Sequence, residues 1–183
     1  RGGYGAMKQM LKALDENKKI NLSLAVTDQH LDKKFGFTVN EIKKDFEVKY
    51  EIPLYQNGSS TLDRAIALSN AVKGISLTLE NSKPDICILY GDRGEVLAAA
   101  LAATTLGIPI AHIQGGDQSG SIDEQMRHSI TKLSHLHYVS NAQSASNVEM
   151  MGEEKWRILN VGDCHLDEIM ENNFFSPKKV KKL

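Results

Sequence analysis

Ile86-Cys87-Ile88-Leu89-Tyr90-Gly91-Asp92-Arg93-Gly94-Glu95 decides the fold. Its first half is an unbroken apolar run, as found in parallel strands covered on both faces, where neither side has to meet water. The run stops at Gly91-Asp92-Arg93, and a helix follows at once over 95–106, so rich in alanine and leucine that burial is expected. Gly107 and Pro109 end it before a second apolar strand over 110–113, and Gln114-Gly115-Gly116-Asp117 follows. Ser121 with Glu124 three residues on reads as a capping box, opening a helix with the stripe Ile122, Met126, Ile130 and Leu133. A strand over 136–139, a helix over 142–151 and a strand over 158–161 continue the alternation.

Upstream the same rhythm holds. Met7, Met10, Leu11 and Leu14 recur at helical spacing after the glycine cluster Gly2, Gly3 and Gly5. Strands are expected over 22–26 and 46–52, separated by a polar loop carrying His30. Ser60 opens a helix bearing Leu62, Ile66, Val72, Ile75 and Leu79, which Lys83-Pro84-Asp85 breaks. Strands and helices alternating at this spacing predict an α/β fold: a Rossmann-like open parallel sheet with right-handed crossovers. Residues 1–175 form that domain, and the lysine-rich stretch 176–183 reads as a linker to a further C-terminal domain. A Gly-rich turn opening a helix normally follows a strand, so a first strand is expected before residue 1.

Composition removes whole classes of function. The 183 residues carry 22 basic and 23 acidic side chains, a formal net charge of −1, so no basic face favours nucleic acid. No stretch approaches the roughly 18 consecutive apolar residues of a membrane span, and the N-terminus is no signal peptide. Cys87 and Cys164 have no redox or metal-ligand spacing and read as reduced thiols, which fits a cytoplasmic protein.

In open α/β sheets ligands bind beyond the C-terminal ends of the strands. The polar clusters fall there: Asp28 to His30, Gly91-Asp92-Arg93, and Gln114 to Asp117. Arg1 and the glycines behind it either present donors to an anion or only make a tight turn. Asp92 and Arg93 either point into the crevice or pair with each other and cap the next helix. His112 is a satisfied core histidine or a pocket residue, and the pair Gly115-Gly116 would permit close approach of backbone to a ligand. Glu124 is explained by the cap, which leaves Asp123 as the better acid/base candidate. Arg127, His128 and Lys132 line one helical side, as a solvated face or as phosphate contacts. His135, His137 and His165 show no ligand spacing with carboxylates or cysteines, so no metal is expected.

Gly91-Asp92-Arg93-Gly94-Glu95, then His112-Ile113-Gln114-Gly115-Gly116-Asp117, then the block from Gly120 to His135, resemble the hydrolysing UDP-N-acetylglucosamine 2-epimerases. The similarity extends from Arg1 through His30 and Leu31 to Asn160-Val161-Gly162. It implies one half, the N-terminal one, of a two-domain enzyme like the GT-B glycosyltransferases, with the active site between the halves. It implies a UDP-sugar substrate, UDP-N-acetylglucosamine or its 2,4-diacetamido-2,4,6-trideoxy relative, and release of UDP with the free 2-epimer for sialic or legionaminic acid synthesis. No cofactor or metal is implied, and a homo-oligomer is. By the resemblance Asp92 and Asp123 are acid/base candidates, His112 lines the sugar pocket, and Arg1 and Arg93 contact substrate or orient carboxylates. His30, Arg127 and His128 are further binding candidates. Gln114 stands where relatives carry a glutamate or histidine; an amide is no general base, so either Asp117 supplies that group or Gln114 positions substrate. The rival classes are a nucleotide-sugar-binding half-domain without catalysis, a non-hydrolysing epimerase and, more distantly, a glycosyltransferase.

Overall fold

The structure is a computed structural model that describes residues 3–56 and 58–171. Its elements run α1 (Tyr4–Asp15), β1 (Leu24–Thr27), α2 (Val39–Asp45), β2 (Val48–Ile52), α3 (Thr61–Ser82), β3 (Cys87–Tyr90), α4 (Gly94–Thr105), β4 (Ile110–Ile113), α5 (Ile122–Leu133), β5 (Leu136–Val139), α6 (Ala142–Met150), β6 (Ile158–Asn160) and α7 (His165–Glu171). Every strand pairing is parallel. The strands fall into a two-stranded sheet, β1-β2, and a four-stranded sheet in the order β3-β4-β5-β6. The expected open parallel α/β architecture is therefore the one formed.

β4 holds the centre of the larger sheet, with all four of its residues buried. Burying one such isoleucine stabilises by roughly 2–3 kcal/mol relative to leaving it in water. Behind this sheet α3 and α4 meet through small side chains, Ala67 and Ala71 against a helix whose Ala98, Ala100, Ala102 and Ala103 are wholly inaccessible. Alanine on both sides lets the two helices approach closely. The buried stripe of α3 is Ala67, Ala71, Ile75 and Leu79, while Leu62 is 67% exposed and Ile66 49%. The expected stripe was thus displaced at its N-terminal end, because alanines rather than the larger side chains face the close partner. α3 starts with a true capping box: Ser60 Oγ accepts from the Asp63 N–H at 3.1 Å, and the Asp63 carboxylate accepts from the Ser60 N–H at 3.0 Å.

Three local expectations need correction. The helix Val39–Asp45 is too short for its periodicity to register, and forms because Val39 and Ile42 pack on Val26. The cap of α5 is not the expected box: Ser121 Oγ accepts from the Asp123 N–H, whereas Glu124 accepts from the N–H groups of Ser119 and Gly120, both at 2.8 Å. β3 is not covered on both faces among the described residues. Its Cys87 and Leu89 enter the core against α3 and α4, but Ile88 is 41% exposed.

Candidate functional site

The C-terminal ends of β1, β3 and β4 deliver their loops to one edge of the sheets, above a cleft of about 710 Å³. Asp28, His30, Asp92, Arg93, Gln114 and Asp123 all line it, joined by Glu95 and His165. No helix among the described residues is long and apolar enough to cross a membrane.

Asp92 follows the left-handed Gly91 (φ +80°) and accepts from Nη2 of Arg127 on α5. Arg127 is buried, so it is no solvated-face residue; it fixes one oxygen of Asp92 and ties the β3 loop to α5. The Asp92–Arg93 pair, the alternative to a crevice role, does not form. Arg93 Nη2 donates instead to Asp28 Oδ2 at 2.7 Å, and its Nε donates to Glu95. Burial would lower the Arg93 pKa, but the carboxylates of Glu95 and Asp28 raise it on balance. Burial also pushes the Glu95 carboxyl above its ordinary value, with Arg93 opposing. Arg93 is the only Lys or Arg among the described residues of the cleft wall.

His112 does not line the cleft. It is wholly buried, its Nε2–H donating to the Gly91 carbonyl at 2.8 Å and its Nδ1 lying 3.1 Å from the Thr131 hydroxyl. Burial lowers its pKa to about 4, so the neutral ring serves as a strut that holds the Gly91 turn and hence Asp92. The glycine pair also works internally. A Cβ on Gly116 would stand 2.3 Å from the Ser144 carbonyl, and one on Gly115 3.0 Å from Thr131 Oγ1, so the close approach is to α6 and α5 rather than to a ligand. Asp117 accepts from Ser140 Oγ at 2.7 Å and from Ser144 Oγ, securing the start of α6 away from the cleft wall.

Gln114 adopts φ +65°, an uncommon conformation for a residue with a side chain. Its Nε2 donates to Asp163 Oδ1 at 3.1 Å. The same oxygen accepts from the His165 backbone N–H at 3.0 Å and stands 2.9 Å from His165 Nδ1. Burial would raise the Asp163 pKa, yet the bonds from His165 lower it on balance. Asp163, Cys164 and His165 offer ligand atoms within 4.8 Å of one another, which corrects the expectation that His165 shows no ligand spacing with a carboxylate or cysteine. The cluster lies just past the end of β6, so the strand-end rule could have found it.

Asp123 is exposed on the first turn of α5 and faces the cleft, its Oδ2 accepting from Ser121 Oγ at 3.3 Å. His30 is held at Nδ1, 2.8 Å from Thr38 Oγ1. His128, on the same helix as Asp123, sits 3.7 Å from Glu124 and does not line the cleft. Arg1 and the stretch 176–183 lie outside the described residues. Asp28, Glu95 and His165 line the cleft and Asp163 holds Gln114 and His165 beside it; to none of the four did the sequence alone assign a role.

The profile of the UDP-N-acetylglucosamine 2-epimerase family matches residues 12–182. A hydrolysing UDP-N,N'-diacetylbacillosamine 2-epimerase of Legionella pneumophila is 44% identical over 93% of this chain and 46% of its own length. A hydrolysing GDP/UDP-N,N'-diacetylbacillosamine 2-epimerase of Campylobacter jejuni is 32% identical over the whole chain and 48% of its own length. The chain thus spans about half the length of these relatives. The UDP-GlcNAc 2-epimerase of Neisseria meningitidis, solved with UDP-GlcNAc bound, superposes with a TM-score of 0.81 at 20% identity, covering 93% of this chain and 46% of that one. Its likeness establishes the fold, a Rossmann-like half of a GT-B-like enzyme. The chain belongs to the UDP-N-acetylglucosamine 2-epimerase family.

Proposed function

We propose that the protein containing this domain is a hydrolysing 2-epimerase acting on UDP-N-acetylglucosamine or, in view of the Legionella relative, on a UDP-2,4-diacetamido-2,4,6-trideoxy sugar. The observation that carries the reading is the placement of two carboxylates, Asp92 and Asp123, on separate elements around one cleft, the first oriented by buried Arg127. Inverting C2 needs a group to take its proton on one face and another to return a proton on the opposite face.

One carboxylate accepts the C2 proton. The C2–H electrons become the C1=C2 double bond of a glycal, and the C1–O bond breaks with its electron pair leaving on UDP. Water then adds its hydroxyl to C1 while the second carboxyl group protonates C2 from the other face and the proton left from water returns to that carboxylate, so substrate plus water gives UDP plus the free 2-epimer. Arg93, spanning Asp28 and Glu95, positions the carboxylates at the rim. Gln114 holds substrate by its amide, since it cannot serve as a base. The active site is completed by a second domain, and the enzyme works as a homo-oligomer in the cytoplasm.

Proton NMR of the full-length gene product with each UDP-sugar in D2O tests this. Release of UDP with a free sugar deuterated at C2 is expected. A UDP-linked epimer would assign a non-hydrolysing enzyme, and binding without any turnover a binding module.

A further inference from the structure

Past the end of β6 the chain turns at Gly162, in the left-handed region at φ +88°. Asp163, Cys164 and His165 follow, and α7 begins at the last of them. Asp163 Oδ1 accepts from the His165 backbone N–H at 3.0 Å and lies 2.9 Å from His165 Nδ1, so the carboxylate and the imidazole are folded onto each other. The result is one carboxylate, one thiol and one imidazole whose ligand atoms all lie within 4.8 Å of one another. Among the described residues no other His, Cys, Asp or Glu side chains gather three ligand atoms in this way.

A cap on α7 needs only the Asp163 carboxylate and the His165 N–H. It does not require a thiol and an imidazole on the same side, nor the groups that two other strands bring to them. From β3 the Tyr90 hydroxyl lies 3.3 Å from Nδ1 and 3.4 Å from Nε2 of His165. From the end of β4, Gln114 Nε2 donates to Asp163 Oδ1 at 3.1 Å and stands 3.5 Å from His165 Nδ1. Three strand ends therefore converge on the cluster, which rests on the frame of the sheet rather than on a free loop.

The donor set selects the ion. One sulfur, one nitrogen and one oxygen suit a borderline transition metal, whereas Mg²⁺ and Ca²⁺ take oxygen ligands. Three protein ligands with a fourth position left over is the coordination of an open zinc centre, in which neighbouring ligand atoms stand about 3.3–3.6 Å apart. The Asp163–His165 pair has to open by roughly 0.5 Å and the widest separation to close by roughly 1 Å, shifts that side-chain rotation supplies. The Asp163 and His165 side chains are 38% and 54% exposed, so an ion can reach them. We propose that Asp163, Cys164 and His165 form a binding site for a divalent transition metal of the zinc class, with Cys164 bound as thiolate and the fourth position open beside Gln114. The thiol proton passes to solvent as the metal–sulfur bond forms. His165 and Gln114 line the cleft, so the ion places two positive charges at a wall whose one described Lys or Arg is Arg93. The site is defined by its ligands and not by the reaction, so its failure would leave the epimerase reading standing.

The full-length protein, stripped of metal with a chelator, is titrated with Co²⁺ as an optical stand-in for zinc, beside its Cys164→Ser and His165→Ala variants. A near-ultraviolet sulfur-to-cobalt charge-transfer band is expected, with a component of one equivalent that Zn²⁺ displaces and that Cys164→Ser lacks. His165→Ala should weaken Co²⁺ binding by about 10-fold or more. The absence of the band, a band that survives intact in Cys164→Ser, or unchanged affinity in His165→Ala overturns the proposal. Where Cys164→Ser melts below the parent, the unmutated protein decides. Zn²⁺ should slow alkylation of Cys164 by iodoacetamide about 10-fold or more, read by peptide mass spectrometry, because the metal-bound sulfur is no longer a free nucleophile. Labelling at an unchanged rate overturns the site.

Discussion

Asp92 illustrates how much of this site depends on residues that never touch substrate. Its turn is held by His112 through the Gly91 carbonyl, and its carboxylate by Arg127. Replacing Asp92 or Asp123 by Asn in the full-length protein keeps shape and removes the base, so kcat for UDP release should fall by about 10²–10⁴ with KM little changed. A comparable KM rise with unaltered kcat would make these residues binders only. Arg127→Lys keeps the charge but loses the planar fork, and should lower kcat as well. His112 yields a pH prediction. Its folded pKa, about 4, lies below the ordinary 6.5 because burial penalises the imidazolium. Below 6.5 the unfolded chain therefore binds a proton that the folded chain refuses. Stability from this residue is complete above pH 6.5 and is lost as pH falls toward 4, on the order of 3 kcal/mol in all. In ¹⁵N-labelled protein His112 should remain neutral from pH 8 to 5, and a His112→Asn variant should lose less of its melting temperature over that interval than the parent.

At the scale of elements, the loop from strand β4 to helix α5 is a packing device that seats against α6. Gly116 has φ +80° and no room for a Cβ, so Gly116→Ala combines backbone strain with overpacking and should destabilise by about 2–4 kcal/mol, read as a lowered melting temperature. Asp117→Ala removes two hydroxyl bonds at the start of α6 and should cost about 1–2 kcal/mol while kcat of the full-length enzyme stays within a few-fold. A 10²-fold loss of kcat without a change in melting would return Asp117 to the catalytic candidates. These residues mark the limit of sequence reading. The order of strands and helices was legible because apolar runs and breakers such as Lys83-Pro84-Asp85 report local geometry directly. The cleft residues Asp92, Arg93 and Gln114 were legible because strand ends are, and Asp123 because the cap of its helix left it unused. Whether a glycine serves a ligand or a neighbouring helix, or whether a histidine faces a pocket or a carbonyl, depends on contacts between distant segments such as Gly116 with Ser144. No local pattern encodes those. α3 makes the same point: its large residues Leu62 and Ile66 stay exposed because the neighbour that selects the face is α4.

For the whole molecule, charge decides what the domain can do alone. A nucleoside diphosphate brings two phosphates into the cleft, and leaving-group departure adds negative charge that must be met by cations or aligned dipoles. The described wall offers a single Lys or Arg, Arg93, and it is already shared between Asp28 and Glu95. Asp92, Asp123 and Glu95 add carboxylates to the same wall, so on the proposed function the described wall alone disfavours the diphosphate that the reaction would release. If the proposed function holds, counter-charge from outside this wall is required; the chain spans 46% of the length of the Legionella relative. The 183-residue chain should therefore bind UDP weakly, with affinity that falls further as salt drops because unscreened repulsion grows. On the proposed function, in which a second domain completes the site, its turnover should be below about 1% of the full-length enzyme's. Calorimetry with UDP at two salt concentrations, beside a UDP-release assay of both proteins, checks this; tight UDP binding by the isolated chain at low salt would mean that the diphosphate is held by groups of this half, with Arg93 the first to replace.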